Sequence, residues 1–164
     1  MSVNSGKAGA GGESSGVSVS SVTAEPAPHG RSFGRARGGL WRVAVAEASM
    51  VPALRPNDWL LLDPTVGRWP KRGNIVVFRE PGSGILAIKR VAAGPGDRVR
   101  IAEGVLHLGD DEAWLLGDNA GASIDSRRYG PVQLDALLGR AWFRYFPVGR
   151  IGRLRRQDAP GVRD

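Results

Sequence analysis

From Trp41 onward the chain never sustains a long apolar run. Pro, Gly, Asn or Asp breaks each one within a few residues. Runs of this length are too short for ordinary amphipathic helices but long enough for strands. The pattern predicts strands over 43–48, 59–62, 74–78, 86–92, 98–101, 105–108, 113–116 and 140–146. The pair Glu103–Gly104 reads as a hairpin turn. Arg55-Pro56-Asn57-Asp58, Pro81-Gly82-Ser83-Gly84 and Gly94-Pro95-Gly96-Asp97 have turn composition. Only 133–138 reads as helical. Many short strands joined by close turns predict an all-β antiparallel sandwich or barrel.

Residues 1–40 differ in kind. Ser, Gly, Ala and Pro dominate them without periodicity, so they read as a disordered tail. The expected organisation is this tail, a folded domain over 41–147 and a basic C-terminal tail over 148–164. No apolar stretch approaches the roughly 18 residues of a membrane span. The first forty residues lack the apolar segment of a secretory signal. The expected location is therefore cytoplasmic or peripheral at a membrane.

The net charge of +7 raises the question of nucleic acid. Residues 41–147 hold fourteen basic and twelve acidic side chains, so the excess sits in the two ends. A nucleic-acid-binding face on the domain is not expected. A basic tail still suits peripheral contact with an acidic membrane surface. The sequence does not fix the oligomeric state.

The chain has no cysteine and two histidines, His29 and His107. Thiolate chemistry and His-rich metal centres are excluded, and no cofactor is expected. Of twenty-three basic residues only Lys7, Lys71 and Lys89 are lysines. Arg stays charged in a protein, whereas a buried Lys can give up its proton. Lys89 shares a strand face with Ala87, Val91 and Ala93, so burial of that face would lower its pKa. A neutral amine there could act as a general base. The competing reading is a lysine that extends its ammonium to solvent. Ser49 follows an apolar strand just ahead of Pro52, where a hydroxyl can be presented for attack or can merely cap a turn. Together, Ser49 and Lys89 can form a dyad that needs no histidine. Residues 117–130 form a loop dense in Asp, Asn, Ser and Arg. Such a loop suits either a polar surface or a buried ion-pair network.

Three segments, in this order, resemble the type I signal peptidases, serine endopeptidases that remove signal peptides from exported proteins. They are Ser49-Met50-Val51-Pro52, then Ile88-Lys89-Arg90-Val91 with Gly94-Pro95-Gly96-Asp97, then Gly117-Asp118-Asn119 with Ser123, Asp125-Ser126-Arg127 and Tyr129-Gly130-Pro131-Val132. The resemblance runs from about Val43 to Phe146. It implies the family's antiparallel β-sandwich or barrel catalytic domain. It implies Ser49 as nucleophile, Lys89 as general base and Ser123 as a hydrogen-bond partner of the Lys89 amine. Arg90 with Asp118, and Asp125 with Arg127, become bracing ion pairs. Val45, Met50 and Ile88 become the lining of pockets for small side chains before the cut. The implied partner is a preprotein or propeptide substrate with an Ala-x-Ala site. Glu47 departs from the family, which has Ser or Gly two residues before the nucleophile. That departure and the missing spanning segment leave two alternatives. One is a soluble maturation protease similar to those acting on nickel superoxide dismutase. The other is an inactive peptide-binding homologue.

Overall fold

The computed structural model describes residues 22–24 and 41–158. The strands are β1 (Val22–Ala24), β2 (Trp41–Val45), β3 (Trp59–Asp63), β4 (Ile75–Arg79), β5 (Leu86–Ala93), β6 (Arg98–Ile101), β7 (Gly104–His107), β8 (Glu112–Leu116), β9 (Val132–Gln133), β10 (Leu137–Phe146) and β11 (Gly152–Arg153). One four-residue helix, α1 (Ser126–Tyr129), joins β8 to β9. The main sheet runs β1-β2-β3-β10-β4-β5-β8-β9, with β11 added beside β10. All its pairings are antiparallel. The hairpin β6-β7 forms a separate two-stranded sheet. This is the all-β architecture expected from the sequence.

The centre of the sheet is buried on both faces. Val43, Val45, Leu60, Leu62, Ile75, Val77 and Ile88 pack with Met50 and Leu54 into one core. Val76, Phe78, Ala87, Val91, Ala113 and Leu115 form a second core with Trp69. Alternate residues of β4 and β5 thus enter different cores, as the two-residue period of a strand requires. A third cluster under the β6-β7 hairpin gathers Ala92, Val99, Leu108 and Trp114.

Several expectations change. The strand expected over 43–48 ends at Val45, and Ala48–Met50 forms a 3-10 turn. The helix expected over 133–138 is replaced by β9, a 3-10 turn over Leu134–Ala136 and the start of β10. Its apolar spacing instead packs Leu134, Ala136 and Leu137 against the second core. The β6-β7 turn falls on Ala102–Glu103, and Gly104 takes φ +136° at the start of β7. Residues 22–24, within the segment read as structureless, pair with β2. The rest of that segment lies outside the described residues. Beyond Pro147 the chain does not leave the domain at once. Ile151 is exposed, but β11 pairs with β10 and Leu154 N–H bonds the Trp142 carbonyl at 2.9 Å.

A buried carboxylate ties this C-terminal segment to the turn after Ser49. Asp58 is 1% exposed. It accepts from Arg144 at 3.2 Å, from Arg150 at 2.9 Å and from the Arg55 N–H at 3.0 Å. The same two guanidinium groups reach the Ala53 carbonyl at 3.1 and 3.4 Å. Removing the Asp58 charge leaves two partly buried cations poorly satisfied. Asp58→Asn should lower unfolding stability by about 2 kcal/mol. The check is a urea midpoint that falls at unchanged slope.

Candidate active site

Three short segments carry the site: the turn at Ala48–Met50, the middle of β5, and the loop that follows β8. Ser49 and Lys89 are both buried, at 1% and 0% exposure. Lys89 Nζ donates to Ser49 Oγ at 3.1 Å. The sequence left open whether this lysine reaches solvent; it does not. β5 lies between β4 and β8, and its residues from Ala87 to Ala93 are all buried. Desolvation therefore lowers the Lys89 pKa to about 8, against opposing pulls from the charges of Asp125, Glu80 and Glu47. An amine with that pKa is partly neutral near physiological pH and can accept a proton from the hydroxyl it faces.

The loop after β8 holds the Ser49 turn from the other side. Asn119 N–H donates to the Ser49 carbonyl at 3.0 Å, and its side-chain amide donates to the Ala48 carbonyl at 3.3 Å. Gly117 leaves no room for a side chain. A Cβ there would lie 2.6 Å from the Ser123 Cβ and 2.7 Å from the Ser49 carbonyl oxygen. The loop motif includes Gly117 and Asn119, and residue type gives neither a role. Their contribution lies in backbone contacts, which residue type alone does not announce.

Asp125 organises the rest. It is fully buried and accepts from the Gly117 N–H at 3.0 Å, the Ser123 hydroxyl at 2.8 Å and the Arg127 guanidinium at 2.8 and 2.6 Å. Burial alone would raise its pKa, but these hydrogen bonds outweigh burial and hold the carboxyl below its ordinary value. Ser123 thus bonds Asp125 rather than the Lys89 amine. Ser126 Oγ takes the Leu115 N–H at 2.9 Å and fixes the loop to β8.

Arg90, next to Lys89 on β5, points to the other side. Its guanidinium grips both Asp118 oxygens at 2.7 and 2.6 Å and the Gly73 carbonyl at 2.8 Å. Both expected ion pairs are present. Val45, Met50 and Ile88 meet in the core beside the Ser49 turn. Glu47 is half-buried, in extended backbone just before that turn. Tyr129, within the loop motif, buries its hydroxyl without a hydrogen-bond partner, and burial pushes the phenol pKa up. Among the described residues no group of His, Asp or Glu has the arrangement of a metal site, and no helix is long and apolar enough to cross a membrane.

Comparison with known proteins identifies the family. The family model described as signal peptidase, peptidase S26, matches residues 39–112 and 107–146. A probable signal peptidase I of Synechocystis sp. is 35% identical over 151 residues, covering 69% of this chain and 69% of its own. A signal peptidase I of Leptolyngbya laminosa is 33% identical, covering 69% of this chain and 75% of its own. Subunit 1 of the mitochondrial inner membrane protease of Xenopus tropicalis is 31% identical, covering 71% and 75%.

The lowered Lys89 pKa has a consequence for stability. The unfolded chain keeps this proton up to about pH 10.4, whereas the folded chain loses it above about 8. Between these values the unfolded state binds more protons, so stability rises with pH. The cost of the buried ammonium is full below pH 8 and absent above pH 10.4. Lys89→Met should be more stable than the parent by on the order of 3 kcal/mol below pH 8. The gap should close as pH rises toward 10.4. Denaturant unfolding of both proteins across that range is the check.

Proposed function

The chain belongs to the signal peptidase family, peptidase S26, and from that premise we propose that Ser49 is the nucleophile and Lys89 the general base of its serine endopeptidase chemistry. The protein is a protease of signal-peptide processing, and its substrates are preproteins carrying signal peptides. The observation that carries the finer reading is the 3.1 Å approach of Lys89 Nζ to Ser49 Oγ at a site shielded from solvent.

The steps follow from that pair. Neutral Lys89 takes the Ser49 proton as Oγ bonds to the scissile carbonyl carbon. The tetrahedral intermediate collapses, the peptide C–N bond breaks, and the ammonium returns the proton to the departing amine. Lys89 then deprotonates a water that attacks the ester and releases the acid and free Ser49. The Ser49 backbone N–H, at the start of its turn, serves the oxyanion. Asp125, held by Ser123 and Arg127, acts on the amine through its charge, and Arg90 with Asp118 anchors β5 to the loop. Val45, Met50 and Ile88, apolar and packed together beside Ser49, are the side chains we assign to the pockets for small residues before the cut. Cleavage after Ala-x-Ala goes with that assignment.

Glu47 favours a variation on this scheme. Its charge acts to keep Lys89 protonated and it precedes Ser49 by two residues. Loss of that charge should therefore raise the neutral fraction of the amine at neutral pH. A dedicated propeptide is the alternative substrate if peptides with Ala-x-Ala sites are left uncut. A peptide-binding role without hydrolysis is the outcome if no peptide is cut.

Peptides with Ala-x-Ala sites, offered with and without lipid, test the proposal. The parent chain should cut after the second Ala, and Ser49→Ala and Lys89→Ala should each lose at least about a thousandfold in kcat/KM. Retained cutting by either variant overturns the dyad. The kcat/KM of the parent should rise with pH to a plateau above about 8, as the amine becomes neutral. Glu47→Gly should move that rise to lower pH and increase the rate at pH 7. An unmoved profile would remove Glu47 from the site's electrostatics.

A further inference from the structure

A second cleft opens away from Ser49. Residues 65–71, between β3 and β4, form one wall, and Asn74, Arg140 and Arg156 close it around about 630 Å³. Four of its lining residues are cations: Arg68, Lys71, Arg140 and Arg156. Arg68, Lys71 and Arg156 are exposed. Among the described residues their side chains make no hydrogen bond or ion pair. Arg140 is only loosely held. Its Nη2 lies 3.5 Å from Asp63 Oδ2, and its Nε is buried without a partner. Asp63, the neighbouring carboxylate, is turned to Thr65, accepting its hydroxyl at 2.6 Å and its N–H at 3.0 Å. One half-committed carboxylate does not balance four cations.

The walls are fixed before any ligand arrives. Trp69 is buried in the second core, and its indole N–H bonds the Asp111 carbonyl at 2.8 Å. The Asn74 side-chain amide bonds the Lys71 carbonyl at 2.6 Å. The cleft is also separate from the candidate active site. Arg140 pairs with Val76, and Val76 pairs with Lys89. Two strand spacings place Arg140 about 10 Å from Lys89 across the sheet.

Concave basic surfaces concentrate anions, and a planar guanidinium binds oxyanions through two parallel hydrogen bonds. A carboxylate would use the fork of Arg140 alone. A phosphate carries more charge and more acceptor oxygens, and so can engage several of the surrounding cations at once. We propose that this cleft binds a phosphate-class anion, with Arg140 as the fork and Arg68, Lys71 and Arg156 as the charged rim. A soluble phosphate ester and a phospholipid headgroup offer the same chemistry.

The test uses the full chain at low ionic strength. Inorganic pyrophosphate is titrated in while the backbone amides of residues 65–74 are followed by NMR. The parent should show saturable shifts there that weaken as salt is added. Arg68→Gln/Arg140→Gln should bind at least about tenfold more weakly. Arg68→Gln/Lys71→Gln removes two exposed cations, and it serves where loss of Arg140 disturbs folding. Arg153→Gln/Arg155→Gln removes equal charge outside the cleft and should bind as the parent does. Absence of saturation in the parent overturns the proposal. Equal weakening in the cleft and control variants also overturns it, because binding then follows net charge alone. Sedimentation with vesicles of phosphatidylglycerol and phosphatidylcholine identifies the source. Pelleting that is lost in the cleft variants and displaced by pyrophosphate assigns a headgroup. Pelleting indifferent to both, alongside saturable pyrophosphate binding, assigns a soluble phosphate.

Discussion

A primary amine without solvent exposure faces a buried hydroxyl at 3.1 Å, and much of this fold serves to keep it there. Desolvating an ammonium is costly, and the usual remedy is a carboxylate in contact with it. Here the Lys89 side chain bonds Ser49, while Asp125 and Glu80 act on it only through their fields. That arrangement keeps the pKa depressed but not abolished. It also explains why β5 is a central strand with both faces covered. An edge strand would let the long side chain swing to water, and the shift would vanish.

The hydroxyl must be held as firmly as the amine. The Ser49 turn is short, and nothing within it fixes its position relative to β5. The fixing comes from outside, through Asn119 on the Ser49 and Ala48 carbonyls and through Gly117 packed against the Ser49 oxygen. On the far side, Asp58 with Arg144 and Arg150 closes the loop from Ala53 onto β10 and the segment beyond it. Asp125 in turn holds Gly117 and Ser123. The site is therefore assembled from pieces far apart in sequence, each borne by a rigid neighbour.

What the sequence disclosed and what it withheld divide along physical lines. Strand positions were legible because alternation and turn residues are local signals. The pairs Arg90–Asp118 and Asp125–Arg127 were legible through the family resemblance, and they are in place. The stretch 133–138 misled because its apolar residues have spacing that suits a helix. In the structure they are a strand end, a single 3-10 turn and the start of β10, held by packing against the second core. The basic segment after Pro147 read as a tail by composition. Its arginines instead include one of the two that bury Asp58, a partner ninety-two residues away that no local pattern reveals. Ser123 donates instead to Asp125, two residues along the chain, where Lys89 Nζ bonds Ser49.

The adjacent pair Lys89–Arg90 shows why the chain's preference for arginine has an exception. Both side chains are essentially inaccessible, at 0% and 1% exposure, and they leave the strand on opposite faces. Arg90 remains charged and must be fully compensated. It receives a two-point grip from Asp118 and a third bond to the Gly73 carbonyl. An arginine at position 89 would need an equal set of acceptors and could never release its proton. Lysine there tolerates incomplete compensation, because loss of the proton relieves the buried charge. The same deficit that makes position 89 unfavourable for a permanent cation is what lowers the pKa of its amine. Permanent cation and titratable amine are thus distinguished less by burial than by the acceptors that the fold supplies to each.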